Sequence, residues 1–278
     1  MFNVIRMELH RMFRTRSFYI TLAVNVILIV LLFSMMASSI NEGFAAAKNS
    51  VRQNVEGLEM EMILDNRYGP NPMNVCFSFT GWSILFVVIF MACFVGRFYK
   101  DGFCKNVMGS RGYRFRFQMA QSVCAVLYSA VNIILAGTVS LLMAKALIQS
   151  FTFAYLDIFC LNLFGQFLLL CAVGSFSAFL TEWTRSTVPA IVYIFLLSTN
   201  IVAMMTSYID SHLSDWLHKE FVTANYLPSL YFTNQFLLDV SDSAKNNAML
   251  LHAALLSLVF FVIYNVAGAA LITKSDVK

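Results

Sequence analysis

Six long runs of apolar residues interrupt an otherwise more polar chain. They cover about residues 18–37, 79–96, 117–144, 158–181, 188–208 and 249–272. Each run is near or above the about 20 residues that a helix needs to cross the hydrocarbon core of a membrane. The runs are continuous rather than alternating, and a helix satisfies its own backbone polar groups in lipid. The pattern therefore predicts an all-α membrane protein with six transmembrane helices.

Lys and Arg residues are concentrated in alternate connections between these runs. The N-terminus, residues 97–118, residues 182–187 and the C-terminal tail hold 13 of the 19 Lys and Arg residues but only four of the 15 acidic residues. Lys and Arg near the ends of membrane helices are retained on the cytoplasmic side. We therefore expect both termini and these two connections to be cytoplasmic, which agrees with an even number of spans.

The segment 2–16 precedes the first apolar run and has the pattern of an amphipathic helix. Its apolar residues recur at helical spacing on one face, namely Phe2, Ile5, Leu9, Met12 and Phe13. Basic residues, including Arg6 and Arg11, lie elsewhere on the helix. Such a helix is suited to the inner interface, where cations meet anionic headgroups. We expect an elbow helix, and the pattern leaves open whether it only anchors the chain or also contacts a cytoplasmic partner.

Two connections on the opposite side are long, at about 38–78 and 207–248. The first has the pattern of an amphipathic helix that ends at the turn-forming sequence 68–72. We expect it to cap the membrane domain rather than contact cargo, because an apolar stripe usually packs against a permanent neighbour. The second carries an aromatic stretch at 221–236, which we expect to be interfacial or re-entrant in the outer leaflet.

Composition favours a single membrane domain over the whole chain, 1–278. Only 12% of the residues are charged and 59% are hydrophobic, whereas a soluble domain averages about 25% charged residues. The net charge of +4 is explained by the topology and does not indicate a nucleic-acid partner. The six cysteines lack a CxxC spacing and the four histidines are scattered, so neither a disulfide nor a metal site is expected.

Motifs for catalysis and nucleotide binding are missing from the sequence. It contains no GxxxxGK(S/T) phosphate loop, no HExxH and no GxSxG, each of which would indicate a specific chemistry. The six apolar runs contain no Asp, Glu, Lys or Arg, whereas ion-coupled transporters usually need ionisable groups within the membrane. We therefore expect no enzymatic activity and no cofactor in this chain, and energy should reach it through its cytoplasmic face.

The cytoplasmic connection carries a short motif, Lys100-Asp101-Gly102-Phe103-Cys104-Lys105-Asn106, followed by Ser110-Arg111 and a return into the membrane. Together with the elbow helix, six spans, cytoplasmic termini and a long outer connection before the last span, it resembles the membrane (permease) subunits of bacterial ABC type-2 exporters. The resemblance covers the whole chain at the level of architecture. The motif departs from the commoner form in having one acidic residue and in having Gly109 where Pro is frequent.

This resemblance implies a separate ABC ATPase subunit that binds ATP and Mg. Residues 100–112 would form a coupling helix in a cleft of that subunit, and residues 182–187 would make a smaller second contact. The residues implied in coupling are Lys100, Asp101, Gly102, Lys105, Asn106, Arg111, Glu182 and Arg185. A second permease subunit, identical or homologous, would complete a dimer in the plasma membrane. The exported cargo would be a peptide, as in lantibiotic export or immunity, or another amphipathic compound.

Two other functions compete with export. The long outer connections would also suit a non-transporting membrane sensor or scaffold that recognises an extracellular peptide. A membrane-embedded enzyme is the third alternative, although no residue set for catalysis is evident in the sequence. A stoichiometric ATPase subunit that co-purifies with the chain would favour the transporter over both alternatives.

Overall fold

The computed structural model describes residues 2–54, 76, 79–100, 111–148, 156–217, 222–236, 238 and 243–274. Every regular element within these residues is helical. The main helices are α1 (Phe2–Arg14), α2 (Arg16–Asn54), α3 (Ser83–Lys100), α4 (Arg111–Leu147), α5 (Leu156–Thr184), α6 (Val188–Ser198), α7 (Ile201–Leu217) and α8 (Ser243–Lys274). Three short turns lie between α7 and α8, namely Thr223–Asn225, Pro228–Leu230 and Tyr231–Gln235.

Five helical segments among the described residues are long and apolar enough to cross a membrane. They are Arg16–Ala37, Phe79–Lys100, Phe115–Leu147, Leu156–Thr184 and Lys245–Thr273. The bent pair α6 and α7 passes the same test when it is taken together, which gives up to six. The prediction of an all-helical chain with apolar helices of membrane-spanning length is therefore confirmed.

The predicted span 188–208 is not one straight helix. Between α6 and α7 the chain turns by 73°, and Asn200 adopts a left-handed conformation with φ of 57°. Asn visits this region more readily than most residues. The hydroxyl of Thr199 also donates to the carbonyl of Phe195 at 3.1 Å. The sequence Ser198-Thr199-Asn200 thus ends α6 in the middle of an apolar run.

The helix α3 lies in the core and contacts α2, α4, α5 and α6. It carries apolar residues on all sides, which is the pattern of a buried helix. Val87, Phe90 and Val95 are fully buried, and the ring of Phe90 stacks on that of Tyr128 in α4 with centroids 3.8 Å apart. Most of α3 is therefore buried between these four helices.

Apolar side chains at the periphery face outward instead. On α2 an exposed stripe follows the helical spacing of Ile20, Val24, Ile27 and Leu31. On α8 a similar stripe consists of Leu251, Leu255, Leu258 and Val262. A soluble protein would bury most of these side chains, whereas lipid tails provide an apolar neighbour for them.

The helices run up and down, so that their ends meet in two groups. Gln118 near the start of α4 contacts Glu182 near the end of α5. At the opposite end, the amide of Asn41 in α2 donates to the carbonyl of Leu147 in α4 at 2.9 Å. We call the first end the basic end, because it also holds four arginines, Arg11, Arg14, Arg16 and Arg97.

The aromatic stretch after α7 packs against the bundle at the end opposite the basic end. Tyr231, Phe232 and Phe236 are buried, and a Cβ added to Gly165 of α5 would overlap the ring of Phe236. The hydroxyl of Tyr231 also donates to the carbonyl of Met249 in α8 at 3.4 Å. The described part of this stretch therefore covers α5 and α8 instead of extending away from them.

Candidate functional site at the basic end

The helix α1 packs on the bundle. The face that packs is rotated about the helix axis from the apolar face that the sequence predicts. Three side chains at helical spacing are fully buried, namely Val4, Glu8 and Met12. Ile5 and Leu9 are partly buried, Arg6 is exposed and Phe13 is 47% exposed. Phe2 begins the helix, and its side chain lies outside the described part of the chain. Thus α1 packs on protein through a stripe that includes a carboxylate.

Arg11 of α1 pairs with Glu8 of the same helix and contacts α3. A carboxylate oxygen of Glu8 lies 2.9 Å from Nη2 of Arg11. The Arg11 guanidinium lies 4.4 Å from the ring centroid of Phe94 and 5.6 Å from that of Phe98, which are favourable cation–π distances. Burial raises the pKa of the Glu8 carboxyl to about 7, and the charge of Arg11 opposes this rise. Arg11 therefore bridges a buried acid and the end of α3.

The second buried acid, Glu182, lies near the end of α5 and contacts α4. With its amide nitrogen toward the carboxylate, Gln118 donates to Glu182 at 2.6 Å and 3.1 Å from the two oxygens. Glu182 is 5% exposed and Gln118 is 1% exposed. A buried carboxylate needs such hydrogen bonds because it has lost its water shell. The pair consequently holds the ends of α4 and α5 together.

The helix α8 closes over this pair at a glycine. A Cβ on Gly268 would lie 2.6 Å from Oε2 of Glu182 and 2.7 Å from the amide of Gln118. The network continues one turn along α4, where the hydroxyl of Ser122 donates to the carbonyl of Gln118 at 3.0 Å and hydrogen-bonds Asn265 of α8. Three helices thus share one buried polar cluster, made of Gln118, Ser122, Glu182 and Asn265, which we call the Glu182 cluster.

The turn between α5 and α6 contacts α3 directly. A Cβ on Gly96 would overlap Cγ2 of Thr187, so the absence of a side chain at Gly96 permits this approach. In the same turn Arg185 has φ of 53° and an exposed side chain. Of the two residues predicted to contact a partner here, Arg185 faces outward and Glu182 is buried.

The predicted coupling loop is described only at its two ends. Lys100 is the last residue of α3 and is exposed, and Arg111 is the first residue of α4. The residues Asp101, Gly102, Lys105 and Asn106 lie outside the described residues. The two helices that flank the loop are those that contact the turn 185–187 and Glu182.

A second polar network crosses the middle of the bundle. It consists of amides, hydroxyls and a backbone carbonyl, so the absence of charged residues from the apolar runs gave no indication of it. The amide of Asn25 in α2 donates to Oδ1 of Asn132 in α4 at 2.9 Å. The Asn132 amide donates in turn to the carbonyl of Ser83 in α3 at 3.1 Å. Tyr128 also donates to the hydroxyl of Thr21 at 2.8 Å. The sequence indicates this network only through the amide side chains of Asn25 and Asn132, which lie inside apolar runs.

Residues that bind metals do not come together in the described ranges. No group of three or more His, Cys, Asp or Glu side chains within them could hold a metal ion. Glu8 and Glu182 belong to separate clusters, each with a hydrogen-bonding or cationic neighbour. At the basic end, Glu8 and Glu182 each lie at a junction between helices.

No protein-family model matches this chain, and no curated protein matches it. The assignment of a function consequently depends on the residues and on their geometry.

Proposed function

We propose that this chain is the transmembrane subunit of an ATP-driven ABC type-2 exporter. In this proposal it pairs with a second permease subunit, identical or homologous, and is coupled to a separate ATPase subunit that binds ATP and Mg. Both termini are cytoplasmic, the basic end faces the cytoplasm, and α1 is the elbow helix at the inner interface of the plasma membrane. The exported cargo is a peptide or another amphipathic compound.

One observation carries the proposal, namely that the two connections assigned to the ATPase are joined by direct contacts. Gly96, just before the connection 97–118, lies against Thr187 in the second connection. Gln118, at the end of the first connection, binds Glu182 at the start of the second. A displacement applied to either connection would therefore reach α3, α4 and α5 together. Such a junction suits a subunit that receives motion from a partner.

The residues of this junction then divide into two groups. Lys100, Lys105, Arg111 and Arg185 offer charge to the partner, while Gly102 allows close backbone approach and Asp101 and Asn106 shape the loop. Glu182, being buried, transmits the displacement to α4 and α8 rather than contacting the partner itself. In this proposal Glu182 therefore acts inside the helix junction, and Arg185 acts at its surface.

The experiment that tests this proposal is reconstitution with the ATPase subunit. Stoichiometric co-purification of an ATPase is expected, and its hydrolysis should depend on the membrane subunit and on cargo. In the variant Gly102→Trp, Lys105→Glu, transport should fall more strongly than assembly. The control is Arg116→Glu, since Arg116 is exposed on α4 beyond the predicted coupling helix.

Two outcomes would contradict the proposal. Purification without any ATPase, combined with specific binding of an extracellular peptide, would favour the sensor or scaffold. Wild-type transport and wild-type cargo-stimulated ATP hydrolysis in the loop variant would remove residues 100–112 from the mechanism.

A further inference from the structure

A basic pocket lies where α1, the start of α2 and the end of α3 meet. Its volume is about 550 Å³, and it is lined by Met7, His10, Arg11, Arg14, Thr15, Arg16 and Arg97. Four arginines from three helices thus converge on one space. This convergence is not needed for docking α1, because Arg11 already contacts the ring and the carbonyl of Phe94.

The positive charge of this pocket is not neutralised by the described residues around it. Arg11 is paired with Glu8. Arg14, Arg16 and Arg97 are exposed and make no ion pair with any acid in the described part of the chain. Guanidinium groups recognise phosphate oxygens through paired N–H donors. The pocket therefore has the chemistry of a site for a phosphate group.

The surface beyond the pocket favours a lipid over a soluble anion as the source of the phosphate. Arg16 lies on the same face of α2 as the exposed apolar stripe of Ile20, Val24, Ile27 and Leu31. A phosphate bound at Arg16 would be continuous with acyl chains that lie along this stripe. A soluble phosphate or nucleotide would leave the stripe unused.

We propose that this pocket binds the phosphate group of an anionic phospholipid in the leaflet that faces the basic end. The acyl chains of that lipid lie along α2, and its headgroup joins α1 to Arg97 of α3. The lipid is thus a structural ligand that fixes the N-terminal helix relative to the bundle. This proposal rests on membrane insertion of the chain and is independent of the proposed export function.

The test is lipid binding by the full, delipidated chain in a neutral detergent, measured by native mass spectrometry. Dioleoyl phosphatidylglycerol is compared with dioleoyl phosphatidylcholine and with inorganic phosphate. The variant Arg14→Gln, Arg97→Gln should weaken phosphatidylglycerol binding about fivefold for each arginine removed. The matched control, Arg6→Gln, Arg116→Gln, removes two exposed arginines outside the pocket and should leave binding unchanged.

The results that would overturn the proposal are distinct from one another. Equal affinity for the two lipids would show that the net negative charge of the lipid is not recognised, and an equal loss in the control variant would show that only diffuse surface charge is at work. Inorganic phosphate that stabilises the chain as much as phosphatidylglycerol would replace the lipid by a soluble anion. Retained lipid affinity with loss of a co-purified protein would assign the pocket to that protein. If the double variant fails to fold, Arg14→Gln alone provides the same comparison against Arg6→Gln.

Discussion

Gln118 donates to Glu182 across the junction of α4 and α5, at 2.6 Å and 3.1 Å from the two carboxylate oxygens. Neither side chain is accessible to bulk water. A polar contact of this kind costs free energy when one partner is removed, because the other stays buried and unsatisfied. The junction is therefore sensitive to single substitutions and tolerant of paired ones.

The first prediction concerns the energy of this contact. Gln118→Leu should lower the free energy of unfolding by about 1–3 kcal/mol, because the carboxylate loses its donor. The double variant Gln118→Leu, Glu182→Leu should recover part of that loss, since no polar group is then left unpaired. Thermal unfolding of the two single variants and the double variant in detergent gives the coupling energy directly. Strict additivity of the two substitutions would contradict the contact.

The second prediction is a dependence of stability on pH that originates at Glu8. Its pKa is raised from 4.5 to about 7 in the folded chain, so between these values the folded state holds more protons than the unfolded state. The free energy of unfolding should therefore fall as the pH rises from 4.5 to 7, and level off above the folded pKa.

The variant Glu8→Gln isolates this effect, since it keeps the shape of the side chain and removes the titration. Its stability should change less than that of the wild type between pH 5.5 and 8, with the two proteins differing most at pH 8. The difference is on the order of a few kcal/mol for a shift of this size. An unfolding midpoint with the same pH profile in both proteins would show that Glu8 does not titrate in this way.

The third prediction uses the close approach of Gly96 to Thr187. Gly96→Ala should displace the turn after α5 from α3, because the added Cβ overlaps Cγ2 of Thr187. Thr187→Ser removes that methyl group and should rescue Gly96→Ala. The measurement is thermal stability in detergent. No recovery in the double variant would mean that the approach at this position is not what the alanine disturbs.

The fourth prediction concerns the aromatic segment that covers α5. Gly165→Val should push away the ring of Phe236, with which a Cβ at residue 165 would overlap. Labelling of a cysteine placed at Ser229, which is buried, should then become faster. Gly81→Val is the matched control, because a Cβ on Gly81 meets no atom within 4 Å. Equal labelling rates in the two variants would argue against packing of this segment on Gly165.

The positions of the apolar helices were predictable from the sequence, because a long apolar run in lipid has few structures other than a helix that satisfy its backbone hydrogen bonds. The apolar runs at 79–96 and 158–181 lie inside the observed segments Phe79–Lys100 and Leu156–Thr184. The bend within 188–208 was not predicted, because a single left-handed residue, Asn200, outweighs the hydropathy of the whole run. Hydropathy averages over a window and does not detect one backbone conformation.

The candidate site was less predictable than the helices. Glu182 was expected in a cytoplasmic connection that contacts a partner, yet it is buried against Gln118, some 60 residues earlier in the chain. Glu8 shares a stripe with Val4 and Met12, although the apolar residues alone indicated a different face for α1. Contacts between residues far apart in sequence decide both cases, and a single sequence does not reveal such contacts.

The bend at Thr199 has a consequence for the surrounding bilayer. α6 has 11 residues, and at about 1.5 Å per residue it reaches only about half of the about 30 Å of hydrocarbon. Beyond it, α7 leaves at 73° and exposes Met204, Met205, Tyr208 and Ile209 to its surroundings. Lipids adapt to a short crossing by thinning. We therefore expect the permeability barrier to be thinner beside α6 than beside the longer apolar helices.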